Sequence, residues 1–372
     1  MMKYKTIEEW CDILDSQRIP ITAKDRIKGI YPYYGANGVQ DYIDNYIFDD
    51  ELVLLAEDGG NFGSKKRPIA YRVSGKCWVN NHAHVLKPKK DLNVDYLCYS
   101  LMFYDTNGLV NGATRQKLTQ STMRKMKIPY LKIENQLEIV KKIKKIEAVI
   151  QQQNKQLFLL DKLIKARFVE MFGDPILNEK GWKTKSLLDM GNCKNGMNFH
   201  YDDKGVKISC LGVGDFKDLS VIDNTKELNI VSLNKMPSEE YLLKDGDIVF
   251  VRSNGNKDLV GRCLAVYPGN IPTTFSGFCI RYRKDDNELT VPYILRALKM
   301  ESMRRKMVGR GANIQNLNQQ ILGMLVIPIP PIELQEQFAD FVRQIDKSKF
   351  EVQKSLEKTQ QLYDSLMQKY FG

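Results

Sequence analysis

The chain has 372 residues, a hydrophobic fraction of 43% and an aromatic fraction of 10%, enough for two or three domains with cores of their own. Its formal net charge of +11 favours a polyanionic partner, nucleic acid first. No apolar run approaches the roughly 20 residues that cross a bilayer, and Met1-Met2-Lys3-Tyr4-Lys5 lacks an apolar signal core, so a cytoplasmic protein with no membrane partner is expected. Cys11, Cys77, Cys98, Cys193, Cys210, Cys263 and Cys279 show no CxxC spacing, which argues against a disulfide framework or zinc site and for reduced core thiols.

Residues 1–131 read as mixed α/β, with strands over 51–56 and 69–73 and a helix over 95–103. The string 31–38, Tyr-Pro-Tyr-Tyr-Gly-Ala-Asn-Gly, is expected to be a loop that carries aromatics and amides. Tyr33, Tyr34 and Asn37 are therefore candidate DNA contacts, with Lys65, Lys66, Arg67, Asn81 and His82 beside them. His82 and His84 form an HxH pair, but no third ligand stands near them in the sequence and the remaining histidine is His200, so no metal site is expected. Gly112-Ala113-Thr114-Arg115-Gln116-Lys117-Leu118 follows, where Arg115 and Lys117 suit phosphate contact. Ile128-Pro129-Tyr130 then marks a boundary, since proline biases its predecessor away from helix.

From 132 to 173 the apolar positions take a heptad rhythm: Ile139, Ile143, Ile146, Ile150, Leu157, Leu160 and Ile164, with Gln153, Arg167 and Met171 completing the steps of four and three. No Gly or Pro interrupts them, and Gly173 suits a helix end. A helix of about 38 residues, roughly 57 Å at 1.5 Å per residue, is predicted.

Residues 174–330 form a second mixed unit, with strands over 247–252, 263–266 and 278–283 and a helix over 292–307. Its candidate DNA contacts are Arg252, Ser253, Asn254, Asn256, Thr273, Thr274 and Ser276, with Arg310 and Asn313 in a second Gly-Ala loop. Arg bonds guanine bidentately and Asn adenine. After Ile327-Pro328-Ile329-Pro330-Pro331 a second heptad stretch, 331–372, runs through Phe338, Val342, Ile345, Val352, Leu356, Tyr363 and Leu366, with Lys349, Thr359 and Tyr370.

The two halves repeat at a period of 199. Gly112–Leu118 matches Gly311–Leu317, Ile128-Pro129 matches Ile327-Pro328, Gln136 matches Gln335, and Met171-Phe172-Gly173 matches Tyr370-Phe371-Gly372. Residues 1–131, 132–173 and 174–330 each carry net +4, and 331–372 carries −1, so the basic excess is spread over both units. The expected fold is α+β: two similar α/β domains joined by two long antiparallel coiled-coil helices with a pseudo-twofold internal repeat, a dumbbell on a two-helix bar.

The strings Asp15–Thr22, Tyr31–Gly38, Leu54–Gly59, Gly112–Leu118, 330–337, Phe168–Gly173 and Phe371-Gly372, in this order of unit, helix, unit, helix, resemble one family over essentially the whole chain: the specificity (S) subunits of type I restriction–modification systems. The resemblance implies that each unit is a target-recognition domain reading one half of a bipartite asymmetric DNA site. The helices would set the gap and dock two methyltransferase (M) subunits, through which restriction (R) subunits join. It implies a non-catalytic chain with no cofactor of its own. S-adenosylmethionine for adenine-N6 methylation, and ATP and Mg for cleavage, would be held by partner subunits.

The residues agree. There is no Asn/Asp-Pro-Pro-Tyr string for adenine methylation and no GxxxxGK[ST] loop for ATP, and Gly212-Val213-Gly214 lacks the third glycine of a dinucleotide fold. Two alternatives stay open at this point: a stand-alone DNA-modifying enzyme, and a coiled-coil scaffold without DNA specificity.

Overall fold

The computed structural model describes residues 3–112, 115–199, 205–216, 220–308 and 316–372. The chain divides into two compact units, Met1–Lys155 with Gln353–Gly372, and Gln156–Val352.

The first unit contains β1 (Tyr4–Thr6), β2 (Cys11–Ile13), β3 (Lys28–Gly35), β4 (Gly38–Ile43), β5 (Phe48–Ala56), β6 (Ala70–Val79), β7 (Ala83–Pro88) and β8 (Lys127–Pro129), with helices α1 (Ile7–Trp10), α2 (Val94–Met102) and α3 (Gln120–Lys125). Six strands form one sheet in the order β2-β7-β5-β6-β3-β4, and β1 pairs with β8. The run Leu52-Val53-Leu54-Leu55-Ala56 is fully buried, because both faces of β5 are covered. That is why it reads as a continuous apolar string and not an alternation. Asn93 caps α2, its side chain accepting from the Tyr96 amide at 3.0 Å. The 31–38 string is no free loop but the end of β3 and a tight turn into β4, with Gly35 paired to Gly38. Its tyrosines favour a pleated strand, and Gly38 takes a φ of +106° that suits glycine at the turn.

The helix α4 (Ile133–Phe172) begins in this unit. The second unit contains β9 (Lys183–Ser186), β10 (Gly191–Asn195), β11 (Val206–Leu211), β12 (Val221–Ile222), β13 (Ile230–Leu233), β14 (Asp247–Val251), β15 (Cys263–Val266), β16 (Thr273–Phe275), β17 (Cys279–Lys284) and β18 (Val326–Ile329), with α5 (Val291–Lys299), α6 (Glu301–Val308) and α7 (Gln319–Gly323). Its sheets run β10-β17-β14-β15-β12, β13-β11-β16 and β18-β9. The helix expected over 292–307 is two helices, because Met300 leaves the helical region with ψ 140°.

α4 and α8 (Ile332–Phe371) are uninterrupted helices of 40 residues each, about 60 Å long at 1.5 Å per residue. Along both, the heptad positions are covered. Ile139, Ile143, Ile164 and Phe338 are buried. Ile146, Ile150, Gln153, Leu157, Leu160, Arg167, Met171, Val342, Ile345, Lys349, Val352, Leu356, Thr359, Tyr363, Leu366 and Tyr370 are half-buried. Within the first unit the Tyr363 hydroxyl donates to Glu147 at 3.3 Å and Gln153 to the Ser355 hydroxyl at 2.8 Å. As α4 advances from 147 to 153, its partner on α8 moves back from 363 to 355, so the pairing is antiparallel. Within the second unit the same sense holds. Lys349 pairs with Asp161 at 2.6 Å, and the Arg167 guanidinium lies over Phe341 at 6.0 Å.

Each unit is fastened to its helices by the same joint. Gln136, fully buried, accepts from the Asn93 amide at 2.9 Å and donates to the carbonyls of Asp91 at 3.0 Å and Leu131 at 2.9 Å. Gln335, also fully buried, accepts from the Thr290 amide at 2.7 Å and donates to the carbonyls of Glu288 at 2.8 Å and Pro330 at 2.9 Å. The Tyr96 hydroxyl donates to the Pro129 carbonyl at 3.1 Å and its ring lies 5.3 Å from Phe371. Tyr293 does likewise to Pro328 at 3.0 Å, with Phe172 at 4.8 Å.

Six cysteines are buried and Cys193 half-buried. Burial pushes the thiols of Cys11, Cys77, Cys98, Cys193 and Cys210 up to about 12, which keeps them protonated and unreactive at neutral pH. Among the described residues no helix is long and apolar enough to cross a membrane.

Candidate nucleic-acid interface

In the first unit, segments far apart in sequence converge at one junction beside the end of β5. The Leu118 amide donates to the Glu57 carbonyl at 2.7 Å and the Glu57 amide to the His82 carbonyl at 2.9 Å. Asn37 reaches across from the hairpin turn, donating to the Gly59 carbonyl at 3.0 Å. Asp58 gathers the charges: its Oδ1 lies 2.6 Å from His82 Nδ1 and 2.9 Å from Arg115 Nη2. Gly59 and Gly112 flank this arginine in left-handed backbone conformations. With φ of +62° and +102°, a Cβ would stand 3.4 Å from Arg115 Nε at the first and 2.4 Å from the Arg115 carbonyl oxygen at the second. Lys117 pairs with Glu57 at 3.1 Å.

Beneath the junction lies a buried ion network. His84 Nδ1 is 2.6 Å from Asp15 Oδ2, and its Nε2 is 2.9 Å from the Leu118 carbonyl. Both partners are acceptors, so satisfying both requires a proton on each ring nitrogen. Asp15 also accepts from the Val85 amide and from Gln120, each at 2.8 Å. Burial raises the Asp15 carboxyl, but the hydrogen bond and charge of His84, with those two donors, outweigh it and hold the group below its ordinary value. Sequence reading found no third group near the HxH pair, yet folding brings Asp15 and Glu57 within 4.8 Å of His84. Carboxylate and imidazole suit a divalent ion, but here both imidazole nitrogens already have oxygen partners. The Arg18 guanidinium stands 2.7 Å from Glu57 and 3.6 Å from Asp15. Cationic partners occupy the place a metal would need, so the cluster is an ion-pair lock that ties the 15–18 turn to the 115–120 segment. His82 belongs to the turn before β7 and works apart from His84.

The second unit has the same backbone junction with other side chains. The Leu317 amide donates to the Arg252 carbonyl at 2.8 Å and the Arg252 amide to the Phe278 carbonyl at 2.8 Å. Asp58 bridges Lys117 in the first unit as Ser253 bridges Asn316 in the second. A cavity of about 1080 Å³ opens here, lined among others by Asn198, Asn229, Ser253, Asn254, Phe278 and Asn316. Asn254 accepts from the Asn256 amide at 2.8 Å, and Arg252 donates to the Gly277 carbonyl at 3.3 Å. Ser276 lines the same cavity.

The candidates named from sequence that lie among the described residues fall into three groups. Asn37, His82, Arg115 and Lys117 meet at the first junction, and Arg252, Ser253, Asn254, Asn256 and Ser276 at or beside the second. Lys65, Lys66, Arg67 and Asn81 are exposed on neighbouring turns, and Tyr34 is half-buried against Tyr71 at 5.7 Å. Tyr33, Thr273 and Thr274 are core residues: Tyr33 is 1% exposed and both threonines 0%. The Tyr33 hydroxyl bonds to Ile21, and Thr274 donates to the Tyr241 carbonyl at 2.9 Å. In this fold these three offer no surface to a duplex: Tyr33 is buried from β3, and β16 is covered on both faces. Arg310, Asn313 and His200 lie outside the described residues. Sequence reading missed Asp58, Asn198, Asn229, Phe278 and Asn316. The match of Asn316 to Lys117 at the repeat period was the one signal that pointed there.

A family model described as the type I restriction modification DNA specificity domain matches residues 1–158 and again 179–362. The chain belongs to this family, the specificity subunits of type I restriction–modification systems. A type I restriction enzyme specificity subunit of Haemophilus influenzae is 36% identical over 140 residues, which are 38% of this chain and 36% of that relative. The chain thus matches about a third of that relative's length. The StySPI specificity subunit of Salmonella potsdam is 23% identical over 86% of this chain and 74% of its own. The MjaVIII specificity subunit of Methanocaldococcus jannaschii is 21% identical over 96% and 90%. The crystal structure of the S subunit from M. genitalium superposes over 100% of this chain and 96% of that one, with a TM-score of 0.58 at 17% identity, and supports the fold.

Proposed function

We propose that this chain is the non-catalytic DNA-reading subunit of a type I restriction–modification complex. Residues 1–131 read one half of a bipartite, asymmetric site and residues 174–330 the other. The helical segments 132–173 and 331–372 set the gap between half-sites and dock two methyltransferase subunits, through which restriction subunits join. S-adenosylmethionine, ATP and Mg serve those partners, which transfer the methyl group to adenine N6 and cut the DNA. The place of work is the cytoplasm.

One observation carries the reading: a single fold occurs twice, fastened to its helices by the same buried glutamine and tyrosine, and presents unlike side chains at equivalent junctions. A repeated scaffold with two different tips suits an asymmetric bipartite target. The spread of basic charge supports phosphate contacts at both units, which position the protein while base edges supply specificity.

The full chain, incubated with a randomised duplex library at low salt, tests this. The bound pool is expected to contain two short sequence blocks separated by a fixed number of unspecified base pairs, and total binding is expected to fall steeply as salt rises. A pool without sequence preference, or with a single block, contradicts the reading.

A further inference from the structure

The two junctions occupy the same place in the repeated fold. Leu118 and Leu317 donate to the carbonyls of the residues that follow β5 and β14, Glu57 and Arg252, whose amides in turn donate to the carbonyls of His82 and Phe278. The backbone therefore equates Asp58 with Ser253, Lys117 with Asn316 and His82 with Phe278. The first two pairs differ in formal charge and the third sets a polar ring against an apolar one.

At the first junction Arg115 is 60% exposed while its partner Asp58 is 19% exposed. An exposed ion pair of this kind contributes little to stability. Its effect is orientation: Asp58 engages Nη2 at 2.9 Å while most of the Arg115 side chain stays exposed. A fork so held matches the N7 and O6 acceptors of guanine in the major groove. At the second junction no charged side chain stands among the described residues that line the cavity. Such a surface is poor at holding phosphate. A carboxamide donates to adenine N7 and accepts from N6, and Phe278, 61% exposed, offers an apolar face to a thymine methyl group.

We propose that the first junction reads a G·C pair through Arg115 oriented by Asp58, and that the second reads an A·T pair through the carboxamides of Asn254 and Asn316 beside Phe278. This rests on the chain being a sequence-specific DNA reader.

The test repeats selection from randomised duplexes with full-length R115K, N316A and N254A chains. R115K keeps the charge and removes the fork, so preference for an invariant G·C pair in the first block is expected to drop by about 10-fold or more, with the second block unchanged. N316A or N254A is expected to relax an A·T position in the second block alone. The untouched block in each variant shows that the chain is folded. If the wild type yields two blocks but R115K leaves the first intact, or the first block holds no invariant G·C pair, this inference is overturned while the broader function stands. If the wild type yields no blocks, the broader reading fails instead.

Discussion

Where each unit joins its long helix, the two halves are near copies; at the junctions beside β5 and β14 they part. Gln136 and Gln335 make the same three hydrogen bonds, and Tyr96 and Tyr293 the same bond to a proline carbonyl. Yet the registers Ala56↔Ala83 and Val251↔Cys279 equate buried His84 with buried Ile280. One unit anchors its junction through an ion network, the other through aliphatic packing. The difference teaches that the joint to the helices tolerates little change of chemistry, whereas the junction is rebuilt freely on a constant backbone.

The largest expected effect breaks the first unit's lock. His84→Leu leaves Asp15 and Glu57 in a buried site without their imidazole, and should destabilise that unit by about 3–5 kcal/mol. Hydrogen exchange should show the loss in residues 3–131 and not in 220–308. A loss spread over both units, or below about 1 kcal/mol, would break the contrast.

Next come the shared joints. Gln136→Ala and Gln335→Ala each strand an amide and two carbonyls, at a cost of about 2–4 kcal/mol. The two values should agree closely in denaturant titrations. A large disagreement would mean that the joints are alike in geometry but not in energetics.

The smallest effect is acid sensitivity. Because the folded Asp15 carboxyl lies below its ordinary value, its contribution is complete above the unfolded value near about 4. It is lost as pH falls through the lower folded value. Acid titration of wild type and Asp15→Asn should therefore converge at low pH. Parallel curves would remove Asp15 from the account.

Much of this architecture is legible in the sequence because it is local. The heptad rhythm is a spacing of three and four, and every position it marks on α4 and α8 is buried or half-buried. The repeat gives the doubling, and the prolines mark the entry to each helix. The junction chemistry is not local. Asp15 and His84 stand 69 residues apart, and no periodicity announces their meeting. The 31–38 string looks like a loop because glycine and asparagine end it, yet its tyrosines pair in a strand. Thr273 and Thr274 look like surface hydroxyls, but β16 is covered on both faces and both hydroxyls are satisfied internally.

The central claim is that two separate readers act through one repeated scaffold. Replacing residues 1–131 with the corresponding segment of another specificity subunit, then selecting bound sequences from randomised duplexes, tests it most directly. The account predicts that one block changes while the other block and the gap are retained. A change in both blocks together, or in neither, would contradict it.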